Sequence, residues 1–98
     1  MLYIQSVCPI CGTGVIGFRM CSDGSTIVMM CEECDSLWMD PRSVSNDRVL
    51  YSDAPDFLVP GLLCSIKSPA SRWATRDEVA RAGWESLVFG EGTALSEA

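Results

Sequence analysis

The chain has 98 residues, of which 48% are hydrophobic and 20% are charged, so its composition is that of one folded domain rather than a disordered chain. Thirteen acidic residues against seven basic ones give a formal net charge of −6. This charge disfavours nucleic acid as a partner, since nucleic-acid affinity comes mainly from Lys and Arg. No apolar run approaches the roughly 20 residues that span a bilayer, so no membrane partner is expected. The chain contains no histidine, the commonest general base, and we expect no enzymatic activity.

Two Cys-x-x-Cys pairs are the most informative motif. They are separated by nineteen residues and consist of Cys8 with Cys11 and Cys31 with Cys34. Four thiolates at this spacing suit one tetrahedral, structural Zn²⁺. Gly12 and Asp35 follow the two pairs at equivalent positions, where a residue with positive φ would close each turn.

The six cysteines also allow two uses other than metal binding. Six cysteines could form three disulfides in a secreted scaffold, but residues 1–7 lack the cationic and apolar parts of an export signal. A redox Cys-x-x-Cys requires one pair near a βαβ unit, whereas two pairs are present here. Zinc in a reducing, cytoplasmic setting is therefore the favoured interpretation.

The residues between the pairs predict a β-hairpin. Residues 16–20 alternate with period 2, the pattern of a half-buried strand. Asp23-Gly24 is a turn signal, and residues 26–30 are β-prone. Cys21 falls near the hairpin tip, so we expect a free, exposed thiol roughly 20 Å from the metal. Its replacement by serine should then change neither the zinc content nor the melting temperature. Cys64 is expected to be an ordinary small buried residue.

Residues 31–42, Cys-Glu-Glu-Cys-Asp-Ser-Leu-Trp-Met-Asp-Pro-Arg, resemble the second half of the TFIIB-type zinc-ribbon family of small bacterial proteins. In that family two glycines, a β-branched residue, Trp, Leu and Asp follow the second cysteine pair. Here Asp35-Ser36 replaces the glycine pair, and residues 41–44 replace the usual Arg-Gly-Glu-Leu. The resemblance covers about residues 8–45. It implies a three-stranded antiparallel ribbon with one structural zinc held by Cys8, Cys11, Cys31 and Cys34.

The best helix signal lies near the end of the chain. Thr75 and Glu78 form a capping box that predicts a helix over residues 76–82, and Gly83 would supply the left-handed stop. Trp84 is placed to fold back on Val79.

Shorter elements complete the prediction. We expect an edge strand at residues 2–4, a third ribbon strand at residues 38–39, and further short strands at residues 49–51, 62–66 and 86–89. Phe57 should pin an extended connection to the core, and the chain should fray from Gly90 onward. The predicted fold is thus a small α+β single domain over residues 1–98, in which a zinc ribbon at 1–45 is covered by an extension at 46–98.

Charge is concentrated in one segment. Residues 32–56, named the acidic segment below, carry seven carboxylates against Arg42 and Arg48: Glu32, Glu33, Asp35, Asp40, Asp47, Asp53 and Asp56. The favoured function is a non-catalytic zinc-binding module that docks on a basic protein surface, one form being an immunity or antidote protein that inhibits a toxin. The alternative is a transcription-associated or nucleic-acid-binding ribbon that would use Arg19, Arg72, Arg76 and Arg81.

Overall fold

A computed structural model describes residues 1–62 and 64–92, and in them six strands form one antiparallel sheet with a single short α-helix. Helix α1 is Arg76–Arg81, a 3₁₀ turn spans Glu85–Leu87, and the strands are β1 Leu2–Gln5, β2 Ile16–Met20, β3 Ile27–Cys31, β4 Leu37–Trp38, β5 Arg72–Trp73 and β6 Gly90–Glu91. The strand order is β4-β3-β2-β1-β6, and β5 pairs with β2 beside β1. The predicted small α+β class is consistent with this sheet and helix.

The β2–β3 hairpin is the centre of the sheet. Its register pairs Ile16 with Cys31 and Met20 with Ile27. At the turn, the Asp23 carboxylate accepts hydrogen bonds from the backbone N–H of Ser25 at 3.0 Å and of Thr26 at 2.9 Å. The predicted hairpin and its turn are confirmed.

Both faces of the hairpin are buried, which corrects the expected half-buried pattern. Successive strand residues point to opposite faces, so burial of all ten hairpin strand residues requires cover on both sides. The first face packs Phe18, Met29, Trp38 and Val79 into one cluster. The second face packs a separate cluster of buried residues: Cys21, Val28, Met30, Leu37, Val59, Cys64 and Ile66.

This second cluster overturns the prediction for Cys21. The thiol is fully buried rather than exposed, because Val59, Cys64 and Ile66 pack over its face of the hairpin. A backbone hydrogen bond fixes this contact, because Ser22 N donates to Ser65 O at 2.9 Å. These two residues follow Cys21 and Cys64 directly in the sequence. Burial raises the pKa of Cys21 to about 12, which keeps the sulfur protonated and unreactive. The predicted burial of Cys64 is confirmed.

Helix α1 has the predicted capping box. Thr75 Oγ1 accepts from Glu78 N at 3.3 Å, and the Glu78 carboxylate accepts from Thr75 N at 2.8 Å. Gly83 takes φ 81°, and Trp84 N donates to Val79 O at 3.1 Å. The helix ends at Arg81, with Ala82 as its C-cap, so the predicted helix is confirmed to within one residue.

Several short strands were predicted wrongly. Residues 49–51 contribute one isolated bridge between Leu37 and Leu50. In residues 62–66 the observed contact is a bridge between Leu58 and Ser65, while Leu63 lies outside the described residues. Residues 86–89 form no strand, because residues 86 and 87 belong to the 3₁₀ turn Glu85–Leu87 and residues 88 and 89 precede β6. The strand predicted at residues 38–39 is β4, which begins one residue earlier.

The chain ends of the sheet also differ from expectation. Strand β1 is not an edge strand, because it pairs with β2 on one side and β6 on the other. Residues Gly90 and Glu91 are therefore held in the sheet rather than frayed, and residues 93–98 of that prediction lie outside the described residues. Phe57 does not pin its segment to the core, since 39% of its surface is exposed. Within residues 1–62 and 64–92, no helix has the length and apolar character needed to cross a membrane.

Candidate metal centre

Four cysteines converge at one end of the central hairpin. The sulfur atoms of Cys8, Cys11, Cys31 and Cys34 all lie within 4.8 Å of one another, and all six cysteines of the chain are free thiols. The Cys8 and Cys34 sulfurs are 3.8 Å apart, and the Cys11 and Cys31 sulfurs are 3.6 Å apart. Four sulfurs at about 2.3 Å from a tetrahedral zinc would be about 3.8 Å apart. The cluster is therefore close enough to hold a metal ion, and its dimensions fit zinc.

Each cysteine pair forms a tight turn, and the two turns repeat the same backbone pattern. Cys8 O accepts from Gly12 N at 2.9 Å, and Cys31 O accepts from Asp35 N at 3.2 Å. Gly12 and Asp35 both have positive φ, 76° and 60° respectively. The left-handed residue turns the chain back after the pair, so that both sulfurs of a turn point the same way. Asp35 adopts a conformation that glycine would take at lower cost.

Hydrogen bonds to sulfur surround the cluster. Ile10 N donates to Cys8 Sγ at 3.3 Å, and Glu33 N donates to Cys31 Sγ at 3.4 Å, again at matching positions of the two turns. Gly14 N donates to Cys11 Sγ at 3.4 Å. Such donors disperse the negative charge of thiolates and orient them as ligands.

Within the cluster, burial raises thiol pKa values, whereas hydrogen bonds from backbone N–H and hydroxyl groups lower them. Burial raises the pKa of Cys8 and of Cys31, so those groups hold their protons unless a cation replaces them. Hydrogen bonds from Thr13, then from the Gly14 backbone, lower the pKa of Cys11 to about 6. A metal ion would displace the remaining thiol protons and offset the cost of burying charge.

Three residues of the site were not found from the sequence. A Cβ at Gly14 would lie 2.4 Å from Cys31 Sγ, so this position requires glycine. Thr13 Oγ1 donates to Cys11 Sγ at 3.5 Å, and Ser36 Oγ lies 3.1 Å from Cys34 Sγ. A second glycine two positions after Gly12 was a usable signal for Gly14, but the hydroxyl contacts depend on side-chain geometry.

The arginines predicted for nucleic-acid contact are mostly buried or paired with carboxylates. Arg19 is only 7% exposed and donates to Ser71 and Ile66 on the inner side of residues 66–73, so its predicted role as a surface contact is wrong. Arg72 pairs with Glu78 at 2.7 Å. Arg76 lies 3.9 Å from Glu85 and 3.5 Å from Glu91. Arg81 is exposed and forms no ion pair with another described residue.

The carboxylates of the acidic segment lie mostly at the surface. Six of the seven acidic residues are exposed, Glu32 being half-buried. Asp40 pairs with Arg42 at 3.8 Å. Four further carboxylates of the segment form no ion pair with another described residue: Glu33, Asp35, Asp53 and Asp56.

Comparisons of the chain with protein-family models, with curated proteins and with solved structures found no match. The fold and the site therefore define the protein by themselves, as a small antiparallel sheet with one short helix and a four-cysteine cluster able to hold a metal ion.

Proposed function

We propose that the four-cysteine cluster binds one structural Zn²⁺ and that strands β2, β3 and β4 with the two cysteine turns form a zinc ribbon of the TFIIB type. The matching turns and the sulfur separations of 3.6 and 3.8 Å support this proposal. Four protein sulfurs fill a tetrahedral coordination shell, so the metal would have no open position for a substrate or water. Its role is then to hold the turns together rather than to carry out chemistry.

The metal proposal is tested by native mass spectrometry of the purified protein. One zinc per chain with four thiol protons displaced is expected, and Cys31→Ser should lose the ion. Cys64→Ser is the matched control, because Cys64 is also buried but lies in the second apolar cluster. A metal-free protein, or one whose mass shows the four sulfurs oxidised to disulfides, would contradict the proposal.

On this scaffold the protein acts as a non-catalytic binding module for a basic protein partner. The observation that carries this function is a set of exposed carboxylates in the acidic segment that form no ion pair with another described residue: Glu33, Asp35, Asp53 and Asp56. The formal charge of −6 becomes about −8 when four thiolates bind one divalent ion, because −4 + 2 adds −2. An excess of one sign on one surface attracts a partner of the opposite sign and raises its association rate.

An immunity or antidote protein is one concrete form of this function. A toxin with a basic active-site cleft, such as a nuclease, would be blocked by a small acidic protein that fills the cleft. The small size, the negative charge and a metal-stiffened scaffold support this form. A nucleic-acid-binding ribbon has less support, because Arg19 is buried and Arg72 and Arg76 are engaged by carboxylates.

A charge-matched pair of variants tests the docking function. Glu33→Gln with Asp53→Asn and Asp56→Asn neutralises three unpaired carboxylates of the acidic segment. Asp77→Asn with Glu85→Gln and Glu91→Gln removes the same charge from α1, the 3₁₀ turn and β6, outside the acidic segment. A partner from the native host should bind the wild type and the second variant, bind the first variant at least tenfold more weakly, and dissociate as salt rises. Binding that is indifferent to salt, or a shift of labelled DNA or RNA by the protein at low salt, would overturn the function.

A further inference from the structure

The loop of residues 53–58, named the 53–58 loop below, is held rigidly at the surface. Its ends are joined by two hydrogen bonds, from Asp53 N to Leu58 O at 3.0 Å and from Leu58 N to Asp53 O at 3.1 Å. Its far side is fixed by residues 65–66: Ile66 N donates to Phe57 O at 3.1 Å, and the Ser65 hydroxyl donates to Asp56 O. The backbone is thus restrained while residues 53–57 all remain exposed.

Phe57 is an unfavourable choice for this position if only folding matters. Its φ is 55°, in the left-handed region where a bulky side chain is strained and glycine is not. The ring is 39% exposed, so it also leaves apolar surface in water. Strain and exposure together at one aromatic residue are typical of a side chain kept for recognition rather than for stability.

The charges around Phe57 indicate what it meets. Asp53 and Asp56 belong to the same loop, and Asp35 lines a shallow groove beside the ring together with Lys67. The loop and the groove therefore carry three carboxylates against the ammonium group of Lys67 and the guanidinium of Arg19, which also lines the groove but is buried. None of the three carboxylates forms an ion pair with another described residue.

We propose that Phe57 is the anchor of the docking surface and inserts into an apolar cavity of the partner protein whose rim carries Lys or Arg side chains. This inference rests on the proposed docking function and names the surface that performs it. An aromatic ring that becomes fully desolvated in a pocket supplies a large share of the binding energy of an interface. A restrained backbone lowers the entropy lost on binding, and the surrounding carboxylates pair with the cations of the rim.

The partner is located by photo-crosslinking in the native host. A benzophenone amino acid replaces Phe57 in one sample and, as the matched control, Phe89 in another, since Phe89 is the most exposed aromatic side chain of the described residues at 71%. Irradiation should yield an adduct from position 57 and none from position 89. The cross-linked peptide should line an apolar cavity bordered by Lys or Arg.

Binding to the purified partner then separates recognition from stability. Phe57→Gly should weaken binding at least tenfold, while its melting temperature stays equal to that of the wild type or rises, because glycine relieves the left-handed strain. Phe89→Ala should bind within about twofold of the wild type, as expected for a residue outside the anchor.

The outcomes test the Phe57 anchor and the proposed docking function separately. If neutralising Glu33, Asp53 and Asp56 weakens binding but Phe57→Gly does not, the acidic docking function stands and the anchor is wrong. If binding is insensitive to salt and to those carboxylates, the docking function itself fails. Adducts of equal yield from positions 57 and 89, or none from position 57, would overturn the anchor.

Discussion

Arg19 is a buried charged residue whose guanidinium is held by several hydrogen bonds. Its guanidinium donates to Ser71 Oγ at 2.8 Å and to Ile66 O at 3.2 Å, and it lies 5.0 Å from the centre of the Trp73 ring. A buried charge is tolerated only where hydrogen bonds replace its lost water. Arg19 therefore ties residues 66–73 to strand β2, and its role is structural.

Arg19→Lys should lower the free energy of unfolding by about 2–3 kcal/mol, because an ammonium group cannot donate in the several directions that the guanidinium uses. Urea denaturation monitored by tryptophan fluorescence measures the loss. Arg81→Lys, at an exposed position of α1, should change stability by less than about 0.5 kcal/mol. Equal effects of the two substitutions would show that Arg19 does not carry the contact.

Cys21 is a second residue whose role depends on its burial. Its sulfur is fully buried beside Cys64 in the second apolar cluster, on the face of the hairpin opposite Phe18. The sequence predicted that serine at this position would leave the melting temperature unchanged, because the thiol was expected to be exposed. Since the thiol is buried, we now expect serine to lower the melting temperature.

Cys21→Ser should destabilise the protein by about 1–2 kcal/mol, since it places a hydroxyl in an apolar site. The metal content should stay at the wild-type value, because Cys21 is not among the four clustered cysteines. Thermal unfolding and metal analysis of the same sample measure both quantities. Loss of metal from this variant would mean that the ligands have been assigned wrongly.

At the scale of elements, helix α1 depends on one carboxylate. Glu78 accepts from Thr75 N in the capping box and from both terminal nitrogens of Arg72, at 2.8 and 2.7 Å. These hydrogen bonds, chiefly that from Arg72, lower the pKa of Glu78 from 4.5 to about 2. The helix has six residues, too few to be stable by propensity alone, so its cap and its packing through Val79 must hold it.

Glu78→Gln should cost about 1–2 kcal/mol at neutral pH, from the weakened cap and the lost charge-assisted bonds. Because the folded pKa is depressed, the contribution is complete above the ordinary pKa of 4.5 and is lost as the pH falls to about 2. Urea denaturation across this range should show the stabilities of wild type and variant converging at the acidic end. Glu85→Gln, which alters a weaker surface ion pair, should produce no such convergence; a constant difference at every pH would contradict the role of Glu78.

At the scale of the whole molecule, the sheet joins the two halves of the chain. Strands β5 and β6 come from the second half, yet β5 pairs with β2 of the hairpin and β6 pairs with β1. The cysteine cluster lies at the ends of β2 and β3, where Ile16 pairs with Cys31. A metal at this point would therefore stabilise strands that the rest of the fold uses.

Removal of the metal should unfold the protein or leave it with a much lower melting temperature. Binding of a structural zinc contributes on the order of 10 kcal/mol near neutral pH, against a net stability of about 5–15 kcal/mol for a domain. Circular dichroism before and after chelation measures the loss, which re-addition of zinc should reverse. An unchanged melting temperature after complete chelation would refute a structural role for the metal.

The local features were determined by the sequence alone, because each depends on residues close together in the chain. The hairpin turn at Asp23-Gly24, the capping box of Thr75 and Glu78, and the equivalence of Gly12 and Asp35 all follow from short-range hydrogen bonds and backbone sterics. The spacing of the two cysteine pairs likewise indicated which four sulfurs would meet.

Only the tertiary structure decided what covers the hairpin. Whether Cys21 and Arg19 face water depends on residues 59–73, which are about 40 to 50 positions away and fold over the second face of the sheet. Periodicity within a strand reports the two faces but not what packs on each of them. The same long-range packing holds β6 in the sheet, because β6 is placed by its pairing with β1 at the other end of the described chain. Phe57 is instead held by nearer contacts, within its own loop and with residues 65 and 66.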